Sequence, residues 1–300
     1  MVLKNFGKIE QDLIELFTYS DNFILDNNKY HIIKAGKPRP SLGECKTDVY
    51  VLAVQAKKNI KKEFKISIKK SNADFLENKI SNERAIELFG SDSDKILSDS
   101  ISLIKNSFIN DYYINFEKYK KTEKNCLKIG WKFELLNKKS GEKSGELQLT
   151  DTQKLEVFSG SNLSDEKKHS KINNKVIKNS GVASHILIVD KIDKTTQFYF
   201  DKLESIESYA LKSKIFFACK AINYRSSKDK WDGNRPLAVY VNWKLKNNIL
   251  DCDLIMNNPL KVKANQVGEN IRKILCDLRI SYNNFNILKK QLSEKIKYFQ

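Results

Sequence analysis

Cysteine and histidine are both sparse, at five and three in 300 residues. The cysteines (Cys45, Cys126, Cys219, Cys252 and Cys276) are odd in number, far apart and never in a CxxC pair. This spacing argues against a disulfide framework and against a cysteine zinc site, and it points to a reduced, cytoplasmic compartment. His31, His169 and His185 form no HxH, HxxxH or HExxH pattern, so a histidine metal site has no anchor. GxxxxGK(S/T) and GxGxxG are missing too, which removes phosphate-loop NTPase chemistry and dinucleotide binding. Apolar runs stay at strand length, as from Val49 to Val54, and acidic residues interrupt the opening MVLKNFGKIEQDLIELF. Neither a transmembrane span nor a secretory leader is expected.

Arginine is the other shortage: only six of the 54 basic residues are Arg. Against 37 acidic residues the net charge is +17. A field of that sign favours phosphate-rich partners, nucleic acid or an anionic membrane surface. No basic amphipathic helix or lipidation signal stands out, which leaves nucleic acid. Part of the lysine excess is compositional background, since Asn and Ile are also plentiful. With 40% hydrophobic and 30% charged residues, the chain has the composition of a folded protein and the length for one large domain or two small ones.

Periodicity supplies the elements. Phe6, Ile9, Leu13, Leu16 and Phe17 fall at helical spacing. Lys34 to Leu42 reads as a loop held extended by two prolines. Val49 to Val54 is a strand buried on both faces, and after the KKNIKK turn Glu63 to Lys69 alternates as a second strand. Asp74 to Lys124 turns helical, with Asp92 and Ser98 as N-cap candidates. A hairpin is expected from Leu127 to Leu149, an exposed loop from Ser159 to Ser180, and strands at His185 to Asp190, Lys214 to Tyr224 and Pro236 to Leu245. Two helical stretches close the chain, near Gln266 to Leu278 and Tyr282 to Phe299. The fold class is mixed α/β or α+β. Residues 1–125 are expected to form an N-terminal part with the catalytic constellation and 126–300 the remainder of the core with the nucleic-acid-recognition elements, the boundary and a division into two domains being left open.

The chemistry-bearing constellation lies between residues 44 and 69. Asp48 opens the buried strand, and Glu63 and Lys65 sit two apart on the next. Period two puts Glu63, Lys65, Ser67 and Lys69 on one face and Phe64, Ile66 and Ile68 on the core face. A tight hairpin sets Asp48 opposite the far end of the second strand, whereas a bulge or a splayed pair brings it nearer Glu63 and Lys65. Two carboxylates suit a hard divalent ion such as Mg²⁺, which polarises a phosphodiester and acidifies a bound water. A neighbouring lysine can position that water and neutralise developing charge. Lys46, Lys57, Lys58, Lys61, Lys62, Lys69 and Lys70 around the acids let a phosphate backbone approach.

The run from Pro40 to Val51 (PSLGECKTDVYV), followed by Glu63 to Lys69 (EFKISIK), resembles the PD-(D/E)XK nuclease superfamily, and within it the type II restriction endonucleases. Ser71 to Lys79 and, more weakly, Val176 to Ala183 share that character. Thr47 stands where the motif has proline. The resemblance covers residues 36–80 and implies a mixed central sheet flanked by helices, with Asp48 and Glu63 as metal ligands and Lys65 as the catalytic lysine. It implies Mg²⁺-dependent, sequence-specific cleavage of double-stranded DNA by a homodimer, paired in the cell with a cognate DNA methyltransferase. Glu44, four residues before Asp48, is a further acidic candidate, and Glu10 or Glu15 of the first helix are weaker ones. Lys37, Arg39, Lys69, Lys70, Asn234 and Arg235 are the DNA-contact candidates. Two other functions remain: a non-catalytic basic nucleic-acid-binding protein, and a phage, repair or junction nuclease of the same fold.

Overall fold

The computed structural model describes residues 6–20 and 22–300; the side chain of Phe6, one of the apolar positions of the first helix, lies outside the described set. The protein is mixed α+β, with multi-stranded sheets flanked by helices. Its chain divides into two compact units, Met1–Asp74 with Leu149–Ser213, and Phe75–Gln148 with Lys214–Gln300. The division does not follow residues 125 and 126, because each unit takes two separated stretches of chain.

In the first unit, helix α1 (Phe6–Thr18) is followed by four antiparallel strands: β1 (Asn22–Leu25), β2 (Asn28–Gly36), β3 (Val49–Gln55) and β4 (Lys61–Lys69). The strand His185–Ile188 then joins β4 in parallel, and the short strand Glu204–Ser205 closes that edge. The apolar positions of α1 do what their spacing predicts: Ile9, Leu13 and Phe17 are buried against Val49, Val51, Ala53, Phe64, Ile66 and Ile68. Burying a Leu or Phe side chain fully stabilises the fold by about 1.5–3 kcal/mol, so these few contacts hold helix and sheet together. Phe200, from the helix Thr196–Lys202, stacks on Phe23 in the same core.

β3 is buried along its length and β4 alternates, as their patterns predict. Two segments differ. Lys34–Gly36 belongs to β2 rather than to a loop, because its backbone pairs with Tyr50–Leu52. Ser159 to Ser180 is not an exposed loop: it holds the helical turn Asp165–Lys168 and a two-stranded hairpin, and Ser170, Ile172 and Ser180 are fully buried. Ser180 Oγ donates to the Ser170 carbonyl at 2.9 Å and Ser170 Oγ to the Lys167 carbonyl at 2.9 Å.

The second unit is built on the strand Cys126–Leu136, which lies between Phe216–Arg225 and Val239–Lys246. Gly130 is needed there, since a Cβ would stand 2.4 Å from the Val239 carbonyl oxygen. Trp131, Phe133, Phe217 and Trp243 fill the core, and the helix Ala264–Asp277 buries Ile271 and Leu275. The strand Ser144–Glu146 pairs with Phe216–Ala218, which replaces the expected hairpin with Leu127–Leu136. Of the two N-cap candidates, Asp92 precedes the helix Ser93–Leu103 without a side-chain cap and Ser98 lies within it. The last stretch forms a 3-10 segment, Phe285–Gln291, and a short strand, Tyr298–Phe299, instead of a long helix. No helix among the described residues is long and apolar enough to cross a membrane.

Candidate active site

The turn between β3 and β4 fixes what meets what. It is tight: the Gln55 amide donates to the Ile60 carbonyl at 2.9 Å, and Asn59 takes a left-handed conformation with φ 55°. The strands therefore pair Leu52 with Glu63, Tyr50 with Lys65 and Val49 with Ile66. Continued by one residue, this register sets Asp48 opposite Ser67. The Asp48 amide donates to the Ile66 carbonyl at 2.8 Å, and its carboxylate Oδ2 accepts the Ile68 amide at 2.7 Å. Ser67 Oγ lies 3.5 Å from the same oxygen, at the outer limit of a hydrogen bond. The Asp48 side chain thus extends the ladder past the end of β3, which holds its carboxylate in a defined place.

The structure does not bring Asp48 and Glu63 together. Glu63 pairs with Leu52, four residues along β3 from Asp48, or about 13 Å of strand at ~3.3 Å per residue. Glu63 is exposed and accepts the Tyr50 hydroxyl at 2.6 Å, which occupies one of its carboxylate oxygens. Burial and that hydrogen bond raise the Tyr50 pKa, so the phenol stays protonated. A single ion held at about 2.0–2.1 Å from its ligands needs both carboxylates within side-chain reach of one point, and this register separates them. Lys65 is half-buried, and its amide donates to Ser184 Oγ at 3.1 Å. His185 beside it has its pKa lowered to about 4, by burial first and then by Lys62 and Lys65, so its ring is neutral at physiological pH.

Around Asp48 the neighbours are different. Burial raises the carboxyl pKa from 3.8 to about 6. The Ile68 amide, Lys69 and Lys37 pull it down, with Lys69 the strongest of the charges, and Glu10 pushes it up. Glu10 reaches the site from α1 and forms an ion pair with Lys37, its carboxylate side chain only 15% exposed. Asp48, Glu10, Lys37, Ser67 and Lys69 therefore form one electrostatic cluster at the end of the sheet. Among the described residues, no group of three His, Cys, Asp or Glu side chains stands ready for a metal ion. Two carboxylates are present, and Mg²⁺ commonly takes one or two together with water and phosphate oxygens. The raised proton affinity of Asp48 comes first from burial, and the smaller part that Glu10 adds is a repulsion that a divalent cation relieves. The donor set fits a hard cation.

A comparison with known protein families, with curated proteins and with solved structures found no match to this chain. Geometry alone bears on function.

The remaining candidates are scattered. Glu44 is exposed on the loop before β3. Arg39 is exposed, and its backbone bridges Lys171 at 2.9 Å in both directions. Lys70 is half-buried one residue past Lys69. Asn234 and Arg235 belong to the other unit. Ser67 carries no charge that marks it by residue type, and Glu10, one of the weaker acidic candidates, is only 15% exposed. Hairpin length locates Ser67, since counting pairs outward from a tight KKNIKK turn leads to Ser67 and not to Glu63; no such count locates Glu10, which comes from α1.

Proposed function

We propose that this protein is a metal-dependent endonuclease of double-stranded DNA, of the PD-(D/E)XK kind, with its reactive centre at Asp48. The observation that carries this is the half-buried Asp48 carboxylate at the start of β3, with a second carboxylate and two lysines within electrostatic reach. A helix packed on a mixed sheet, with Asp48 and the lysine on adjacent strands, agrees with the restriction-endonuclease-like architecture that the sequence resembles. In this reading Ser67-Ile68-Lys69 occupies the position facing Asp48, and the acidic position of the motif is filled by Ser67. The second carboxylate then comes from Glu10. Lys65 and Glu63 then stand outside the centre, two and four residues from Ser67 toward the turn.

Asp48 and Glu10 would hold Mg²⁺, which when bound polarises the scissile phosphate and acidifies a water for in-line attack. The chain's own residues do the rest. The Ile68 amide fixes the Asp48 oxygen, Ser67 supports it, and Lys69 supplies positive charge where the phosphate gains negative charge. Lys37 holds Glu10 in place and adds to the field that draws a phosphate backbone inward. Sequence-specific cutting by a homodimer, protected by a cognate methyltransferase, is the form of this activity that the resemblance favours.

Plasmid digestion tests the proposal. Mg²⁺-dependent discrete fragments are expected; a smear would replace a restriction enzyme with a nuclease of little sequence preference. The net charge of +17 also suits one other reading, a basic nucleic-acid-binding protein without catalysis. Binding with no cleavage in either Mg²⁺ or Mn²⁺ would select it.

A further inference from the structure

In the second unit, the segment leading into the helix Asn82–Phe89, the strand Cys126–Leu136, and the residues before the helix Ala264–Asp277 enclose a cavity of 220 Å³. Four cations line it, Lys79, Lys132, Arg235 and Lys263, and among the described residues no carboxylate does. We propose that this cavity binds a phosphate group, presented either by a DNA strand or by a free nucleotide.

The scaffold is rigid. Pro236 pairs with Lys263 in a short antiparallel ladder, and the Ala264 amide donates to the Arg235 carbonyl at 2.9 Å, so Arg235 and Lys263 are held side by side. Lys132 comes from the central strand and is steadied at 2.5 Å by Glu134, which is 2% exposed. Lys261 Nζ donates to Asn82 Oδ1 at 2.8 Å, which ties the approaches to the two helices together. The lining residues Ser81 and Lys263 are the N-cap residues of those helices, so two helix N-termini add positive potential to that of the four side chains. Two carboxylates lie close by without lining the cavity: Glu134, paired with Lys132, and Glu83, whose pKa is lowered by Ser81 and, more weakly, by Lys263 and Lys261.

Size and polarity narrow the ligand. A volume of 220 Å³ equals about seven waters at ~30 Å³ each, more than a bare phosphate needs. Ile80, Phe133 and Pro236 contribute an apolar wall suited to the sugar or base that carries the phosphate. The inference does not rest on Asp48 or on any cleavage, since it concerns the other unit and requires no metal.

The test is binding in EDTA by the full chain, with deoxycytidine 5′-monophosphate and a short DNA duplex as separate probes. Lys263→Ala and Arg235→Ala are compared with the parent, and far-UV circular dichroism and melting temperature confirm the fold of each. If the monophosphate binds, and each variant weakens it at least tenfold while deoxycytidine shows no binding, the source is a free nucleotide. If only the duplex binds, and each variant lowers the slope of log K against log salt by about 0.9, the source is a DNA strand. Folded variants that bind both probes as the parent does would overturn the proposal. Lys79→Ala gives an independent third reading should one of the others fail to fold.

Discussion

The two ends of the β3–β4 hairpin are built from the same kinds of residue and differ in what faces them. Lys65 and Glu63, two and four residues closer to the turn than Ser67, face Tyr50 and Leu52, and the acid is occupied by a phenol at 2.6 Å. At the far end, Ser67 and Lys69 face the half-buried Asp48, whose pKa is raised to about 6 and which feels Glu10 and Lys37 as well. One end is a solvated strand face with a satisfied hydrogen bond. The other keeps a carboxylate in an environment that raises its proton affinity, a cost to stability of the kind that functional sites carry.

The largest expected difference between the ends is in cleavage. Asp48→Asn should lower the Mg²⁺-dependent rate by about 10³-fold or more, since several kcal/mol of charge stabilisation is lost. Glu63→Gln should leave it within a few-fold, as measured by plasmid digestion over time. Glu10→Gln comes next, with a loss of about 10–100-fold in activity or metal affinity, because the second carboxylate becomes neutral.

Stability separates the ends in the opposite sense. Asp48 titrates near 6 when folded, against an ordinary 3.8. Between these values the folded chain holds the extra proton, so this residue's contribution falls as pH rises from about 4 to about 6. Asp48→Asn should therefore stabilise the protein by about 1–3 kcal/mol at pH 7, and the gain should vanish below pH 4, read by urea unfolding at several pH values. His185 has the opposite sign. Its folded pKa of about 4 lies below the ordinary 6.5, so its contribution rises with pH across that window. The smallest effect is at Glu63, where Tyr50→Phe removes one hydrogen bond to an exposed acid. It should cost about 0.5–1.5 kcal/mol of stability and leave cleavage unchanged.

Much of the first unit was legible because its core follows simple periods. The 3.6-residue spacing of Ile9, Leu13 and Phe17 and the alternation of β4 are both buried as their patterns require. Pairing register was less legible, since it depends on the exact length of the turn, and one turn conformation moves Asp48 four residues away from Glu63 along the ladder. Ser159 to Ser180 misled for another reason. Two of its buried positions, Ser170 and Ser180, are serines satisfied by backbone hydrogen bonds, and hydrophobic periodicity does not report those. The division into units was hidden because each unit is assembled from distant stretches of chain.

Lysine truncation on the two ends tests the central claim most directly. Lys65→Ala and Lys69→Ala stand four residues apart on one face of one strand, and their cleavage of the same plasmid in Mg²⁺ can be measured side by side. With the reactive centre at Asp48 and Lys69, Lys65→Ala should cut within tenfold of the parent and Lys69→Ala at least a hundredfold more slowly. The reverse order would return the centre to Glu63 and Lys65 and contradict this account.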